Sequence, residues 1–315
     1  QGDSWCLLDL GGAPPCASHA PAIAGLWRVL TLGSFTEAHV LWLQGALGIL
    51  ATLLLFGLAR RVLSRGLAVA VALVFSLMPV ELFLERSIMT EATATLLFVA
   101  AALVGLLATR PRRTSSAVGL LIAASLLLGL ATTIHASVGM AAAGLLMLLV
   151  LLVAQRQIAD GARRLLIVGL IAIAGLGLVL PAVPTMLRFH RTYGMVTTQA
   201  MGGTYLAARW APLLDCPAPE GSLPAVKDFY AVACEHHSFG DPPGYVTKLM
   251  WDPTLGFLRS PPSPERRAEF AEAQGQLRAA AITGILHHPF AFAGQMADTI
   301  VVELFDAPMT RPLHV

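Results

Sequence analysis

Three carboxylates and one guanidinium lie within eleven residues of this chain, at Glu81, Glu85, Arg86 and Glu91. Long apolar runs flank this acidic stretch, residues 81–91, on both sides. A charge that slips into hydrocarbon is costly, so charges beside such runs usually form pairs or bind ligands. Carboxylates accept protons or bind Mg²⁺ and Mn²⁺, and guanidinium groups suit phosphate. The chemistry of the acidic stretch therefore depends on the helices that position it and on the side of the membrane that it faces.

The composition indicates a membrane protein. Of the 315 residues, 56% are hydrophobic and only 13% are charged. A helix needs about 20 apolar residues to cross the hydrocarbon of a bilayer. Runs of roughly this length lie at 39–59, 66–84, 92–109, 116–134, 138–154 and 165–183. We therefore predict an all-α polytopic membrane protein with about six transmembrane helices and outward-facing segments of helix and loop.

Arginines occur in every second connection between these runs. The arginine-rich connections contain Arg60, Arg61 and Arg65; Arg110, Arg112 and Arg113; and Arg156, Arg163 and Arg164. Basic connections face the cytoplasm. The acidic stretch, the segment before the first run and everything after Pro184 then face outward. The predicted organisation is an outward first loop with a short interfacial helix at 1–38, a transmembrane bundle at 39–183 and an outward loop and helical segment at 184–315.

The cysteines agree with this orientation. Cys6, Cys16, Cys216 and Cys234 all fall in segments predicted to face outward. An even number of cysteines on the oxidising side of a membrane favours disulfides, although four free thiols are the alternative. Of the three connectivities that four cysteines allow, we favour Cys6–Cys16 and Cys216–Cys234, because short loops close at low entropic cost.

The last third of the chain predicts two helices. A Ser-Pro-Glu start at 263–265 predicts a helix that runs to about residue 286. His287 and His288 follow, and we interpret them as an exposed helix end, because adjacent histidines do not have the spacing of zinc ligands. Residues 290–305 are apolar but interrupted by polar side chains. These side chains are Gln295, Asp298 and Glu303. They favour a helix in the membrane interface over a spanning one.

The sequence Glu85-Arg86-Ser-Ile-Met-Thr90-Glu91 resembles the second acidic motif of the GT-C membrane glycosyltransferases. The similarity is to the protein O-mannosyltransferase and aminoarabinose-transferase type, in which an arginine, a few residues and Thr-Glu open a membrane helix. Asp3, the piece from His19 to Leu32 and Gln44 are similar in order to the family's acidic first loop, short helix and helix with glutamine near its start. The resemblance covers roughly residues 1–205. The family has a helix before this first loop and further helices beyond residue 315, so the resemblance implies that the chain is incomplete at both ends.

The resemblance implies transfer of a sugar from a polyprenyl-phosphate donor to a protein, lipid or glycan acceptor, without nucleic acid. The reaction would take place on the outer side of a membrane, and the scarcity of lysine beside arginine and alanine favours a bacterial plasma membrane. One carboxylate must take the proton of the acceptor hydroxyl during an inverting displacement. Asp3 is the predicted base, and Glu85 and Glu91 are predicted to position substrates or to hold Mg²⁺ or Mn²⁺ together with Asp3.

Cations must stabilise the phosphate that leaves. Arg86 and the cluster of Arg188, His190 and Arg191 are the predicted phosphate-binding residues. The alternative for this cluster is contact with lipid headgroups, and the alternative for Arg86 is a salt bridge at the membrane rim.

The predicted acids also have structural alternatives. In the first turn of a helix capped by Thr90, Glu91 would interact favourably with the helix dipole. Asp3 lies in a Gly-Asp-Ser sequence, where aspartate is a common turn residue.

Two other functions stay open at the level of sequence. A transporter or flippase places polar residues at mid-depth in the membrane, whereas the charges of this chain collect at the outer rim. A non-catalytic scaffold or receptor whose outer segment binds a partner is the other alternative that the sequence leaves open.

Overall fold

The computed structural model describes residues 37–77, 91–110, 114–135, 138–157, 163–235, 249, 252–259 and 262–301. Within these ranges every regular element is a helix, which confirms the prediction of an all-α chain. The described residues divide into two compact units. The first unit contains those up to Thr185, and the second unit contains those from Met186 onward.

Helices of the first unit coincide with the six predicted apolar runs. They are α1 (Glu37–Ala59), α2 (Arg65–Leu77), α3 (Glu91–Ala108), α4 (Thr114–Ile134), α5 (Gly139–Gln157) and α6 (Arg163–Val179). Leucine, alanine and other good helix formers dominate all of them. A 3₁₀ turn at Leu180–Ala182 joins α6 to α7 (Val183–Tyr193), which continues into the second unit.

Three of the described helical stretches are long and apolar enough to cross a membrane. They are Leu41–Ala59 in α1, Ser115–Ile134 in α4 and Ile167–Tyr193 across α6 and α7. Their large side chains include many that face away from the protein, such as Trp42 (81% exposed) and Leu176 (70% exposed). Apolar surface of this extent suits contact with lipid. The apolar stretches Arg65–Leu77, Ala92–Ala108 and Gly139–Gln155 are shorter, so the described structure supports three membrane-length helices rather than six.

Small residues line the core of the first unit. Fully buried alanines lie on α3, α4, α5 and α6. They include Ala101, Ala108, Ala117, Ala124, Ala142 and Ala174. A close approach joins α4 and α6, where a Cβ at Gly129 would lie against the carbonyl oxygens of Gly177 and Leu178. Small residues at such positions let helix backbones come close enough for van der Waals packing, the main association force within lipid.

The second unit is a smaller arrangement of helices. After α7 come α8 (Gly202–Arg209), α9 (Pro224–Glu235), the single turn α10 (Gly256–Arg259), α11 (Arg267–His287) and α12 (Pro289–Val301). Short 3₁₀ turns occupy Ala211–Leu213, Pro253–Leu255 and Pro264–Arg266. The helix predicted at 263–286 is therefore confirmed, with a 3₁₀ turn as its first part. The described part of the predicted 290–305 helix is α12.

Aromatic rings fill the core of the second unit. Tyr193 packs edge-on against Phe189 with ring centroids 5.4 Å apart, and its centroid lies 5.7 Å from that of Phe270 on α11. Helices α8 and α11 approach closely because Gly203 has no side chain to separate its backbone from that of Gln274. The Gln274 amide then accepts a hydrogen bond from the Thr204 N–H at 3.0 Å and donates one to the Thr204 hydroxyl at 2.8 Å.

Candidate functional site

Most of the predicted acidic site lies outside the described residues. This is true of Asp3, Glu85 and Arg86, and also of Cys6 and Cys16. Glu91 lies in α3, and the predicted Thr90 cap that precedes it is outside the described residues.

The predicted phosphate-binding cluster lies on one helix. Arg188, His190 and Arg191 are exposed side chains of α7, and the last two occupy its final turn, where the helix dipole favours cations. Arg188 and Arg191 are three residues apart and lie on neighbouring parts of the helix surface. Among the described residues, no carboxylate forms a salt bridge with any of the three. The cluster is thus accessible to an anionic group from solution or from a membrane surface.

The second unit contains a cleft of about 360 Å³ between α9, α11 and the loop that precedes α9. Val226 and Tyr230 form the α9 side. The α11 side consists of Gln276, Ala279, Ala280 and Thr283. The loop side consists of Asp215, Pro219, Glu220, Gly221 and Ser222. We call this the Asp215 cleft. Its volume falls within the range of about 300–1,000 Å³ that is typical of small-molecule sites.

The loop side of the cleft is attached to α9 by a disulfide and to α11 by a hydrogen bond. The predicted disulfide Cys216–Cys234 is present and joins the loop to the end of α9, with the Cα atoms 6.0 Å apart. The Leu223 N–H donates a hydrogen bond to Gln276 Oε1 on α11 at 3.1 Å. Gly221 has φ of 82°, a left-handed conformation that glycine adopts without strain. These attachments give the rim of the cleft a defined shape.

Two histidines hold the Asp215 carboxylate. His287 Nδ1 lies 2.8 Å from Asp215 Oδ2, and His288 Nε2 lies 3.3 Å from Oδ1. The hydrogen bond from His287, followed by that from His288, lowers the pKa of Asp215, so the carboxylate is ionised at neutral pH. The predicted exposed helix end is indeed exposed, but its partner was missed, because Asp215 lies 72 residues before His287 and no local pattern links them.

Tyr230 contributes a polar atom to the apolar side of the cleft. The residue is only 3% exposed, and no described residue hydrogen-bonds to its hydroxyl. Burial, with a smaller contribution from the negative charge of Asp215, raises the pKa of Tyr230, so the phenol stays protonated at neutral pH. The cleft therefore combines an ionised carboxylate with a neutral hydroxyl.

No group of three or more His, Cys, Asp or Glu side chains in the described part of the chain has an arrangement that would hold a metal ion. The predicted Mg²⁺ or Mn²⁺ site uses Asp3 and Glu85, which lie outside that part. Comparisons with family models, curated proteins and solved structures find no match to this chain.

Proposed function

We propose that this protein is a membrane glycosyltransferase similar to the GT-C type, which transfers a sugar from a polyprenyl-phosphate donor to an acceptor on the outer side of a bacterial plasma membrane. The observation that carries the proposal is the Glu85-Arg86…Thr90-Glu91 motif, whose last residue lies in the apolar helix α3. A reaction on a lipid-linked sugar requires carboxylates and a cation at a membrane rim. The motif supplies both in seven residues.

The proposal includes six membrane spans. Three helical stretches have the required length, and α2, α3 and α5 would complete the bundle. Support comes from the apolar sequences of these three helices and from the arginines in alternate connections. With this topology the acidic stretch and the second unit both face outward, where a disulfide is stable.

Each charged group has a proposed role in the reaction. Asp3 removes the proton from the acceptor hydroxyl as its oxygen attacks the anomeric carbon, and Glu85 and Glu91 position the substrates. If Mg²⁺ or Mn²⁺ takes part, the oxygens of these three carboxylates are suitable ligands.

Phosphate departure requires cations. Arg86 stabilises the leaving lipid phosphate, and Arg188, His190 and Arg191 attract the same anionic group. The absence of described salt-bridge partners for the α7 cluster supports its availability for such an anion.

A membrane receptor or scaffold is the second candidate function. The second unit has its own aromatic core, a disulfide and a cleft, which are features of a segment that presents a binding surface. A receptor requires no carboxylate at the start of α3, so substitution of Glu91 distinguishes the two functions.

The test uses Glu91→Gln and Asp3→Asn in purified protein reconstituted in liposomes. The donors are polyprenyl phosphates that carry radiolabelled mannose, glucose or arabinose, and the measurement is label transferred to acceptor. Loss of a general base or a positioning carboxylate lowers transfer by about 10²–10⁴-fold.

Glu37→Gln is the matched control, because Glu37 also follows a threonine and also lies in an apolar helix, α1. This variant should retain transfer. Wild-type rates in both Glu91→Gln and Asp3→Asn would remove the catalytic assignment.

A further inference from the structure

The Asp215 cleft has the chemistry of a binding site for a positively charged organic group. The described residues of its lining include the carboxylates of Asp215 and Glu220 and no basic side chain. The rest is largely apolar, with Val226 and Ala280 on facing sides. Such a surface attracts cations by charge and accommodates an alkyl chain by burial.

The polar atoms available to a ligand are few and specific. Gln276 is already bonded through Oε1 to the Leu223 N–H and through Nε2 to Glu272 Oε1, at 3.1 and 3.2 Å. The Ser222 hydroxyl donates to the Pro219 carbonyl at 2.7 Å. These bonds hold Gln276 and Ser222 in place at the rim, and each side chain keeps part of its hydrogen-bonding capacity.

Asp215 and Tyr230 have unused hydrogen-bonding capacity. A carboxylate has about four acceptor sites, and the histidines occupy two of those on Asp215, whose side chain is 55% exposed. The Tyr230 hydroxyl has two lone pairs and no described partner, although the residue is nearly fully buried. An ammonium group has three N–H donors and no acceptor, so it matches two acceptors beside an apolar surface.

We propose that the Asp215 cleft binds an alkylammonium ligand, with the ammonium group at the Asp215 carboxylate and the Tyr230 hydroxyl and the alkyl chain along Val226 and Ala280. This inference does not depend on the proposed glycosyl transfer, since it uses only residues of the second unit. It assigns a ligand class to a cleft in which the predicted catalytic residues take no part.

The experiment is calorimetric titration of the full chain in nanodiscs with 1,4-diaminobutane, and with 1,4-butanediol as its uncharged isostere. We expect heat of binding for the diamine. The dissociation constant of the diol should be at least about tenfold larger than that of the diamine. Equal affinity for the two compounds would overturn the proposal.

Variants locate the site. Asp215→Asn should weaken diamine binding by at least about tenfold, since a hydrogen bond to a charged group is lost. Tyr230→Phe keeps the ring and should weaken binding severalfold. Asp228→Asn removes an exposed α9 carboxylate that does not line the cleft, and it should leave binding unchanged. Wild-type affinity in both Asp215→Asn and Tyr230→Phe refutes the proposal, and hydrogen exchange along α11 shows that each variant is folded.

Discussion

Polar side chains of the second unit meet across long sequence separations. The buried pair Gln274 and Thr204 is separated by 70 residues and forms two hydrogen bonds, one of them to a backbone N–H. No solvent reaches either residue, since both are 0% exposed. Loss of the Gln274 amide would leave a buried donor and a buried hydroxyl without partners, which is more costly than the loss of a bond at the surface.

Gln274→Leu is predicted to lower the free energy of unfolding by about 2 kcal/mol. The matched variant is Gln276→Leu, on the same helix, which also removes an acceptor for a backbone N–H. Gln276 is only partly buried, so water can replace its amide and the loss should stay below about 1 kcal/mol. Chemical denaturation monitored by hydrogen exchange of the Thr204 amide measures both changes. Equal losses in the two variants would contradict the account.

At the scale of elements, the helices follow from local sequence and their contacts do not. Within the described residues each of the six apolar runs forms a helix, because length and apolarity are local properties. The contact between α4 and α6 depends instead on where glycines, which have no side chain, lie on the facing surfaces of the two helices. A Cβ at Gly129 would lie 2.8 Å from the Gly177 carbonyl oxygen, and backbone cannot move aside as a flexible side chain can.

Gly129→Ala is therefore predicted to destabilise the first unit by about 1–3 kcal/mol, the usual cost of overpacking. Gly119→Ala on the same helix is the control, because a Cβ there meets nothing within 4 Å. Alanine is the better helix former, so this variant should be neutral or more stable by up to about 1 kcal/mol. Unfolding in mixed micelles with rising dodecyl sulfate gives both values. A Gly129→Ala variant with the same free energy of unfolding as the unsubstituted protein would show that α4 and α6 do not pack in this way.

At the scale of the molecule, the chain consists of a first unit with apolar helices and a second unit with its own core. The exposed apolar side chains of α1 and α6 indicate contact with lipid, and the disulfide of the second unit indicates an oxidising compartment. The lipid contact does not depend on orientation, and the outward position of the second unit stays a prediction from the arginines and the cysteines.

Labelling with a membrane-impermeant maleimide tests this orientation. After reduction of intact cells, Cys216 and Cys234 should react from outside. A cysteine placed at the exposed Ser64, in the arginine-rich connection between α1 and α2, should react only after the membrane is permeabilised. The opposite pattern would place the second unit in the cytoplasm and would remove the basis of the proposed glycosyl transfer.

The sequence alone determined the all-α class, the positions of the six apolar helices and of the two helices after residue 262, and the Cys216–Cys234 pair. These depend on local composition or on a short loop, 18 residues in the case of the disulfide. The assignments of Asp3, Glu85 and Arg86 stay predictions. Only the tertiary structure decided that His287 and His288 hold Asp215, and that this carboxylate shares a cleft with Tyr230. The physical reason is distance along the chain: such contacts form when packed helices bring remote segments together, and no periodicity of the sequence encodes them.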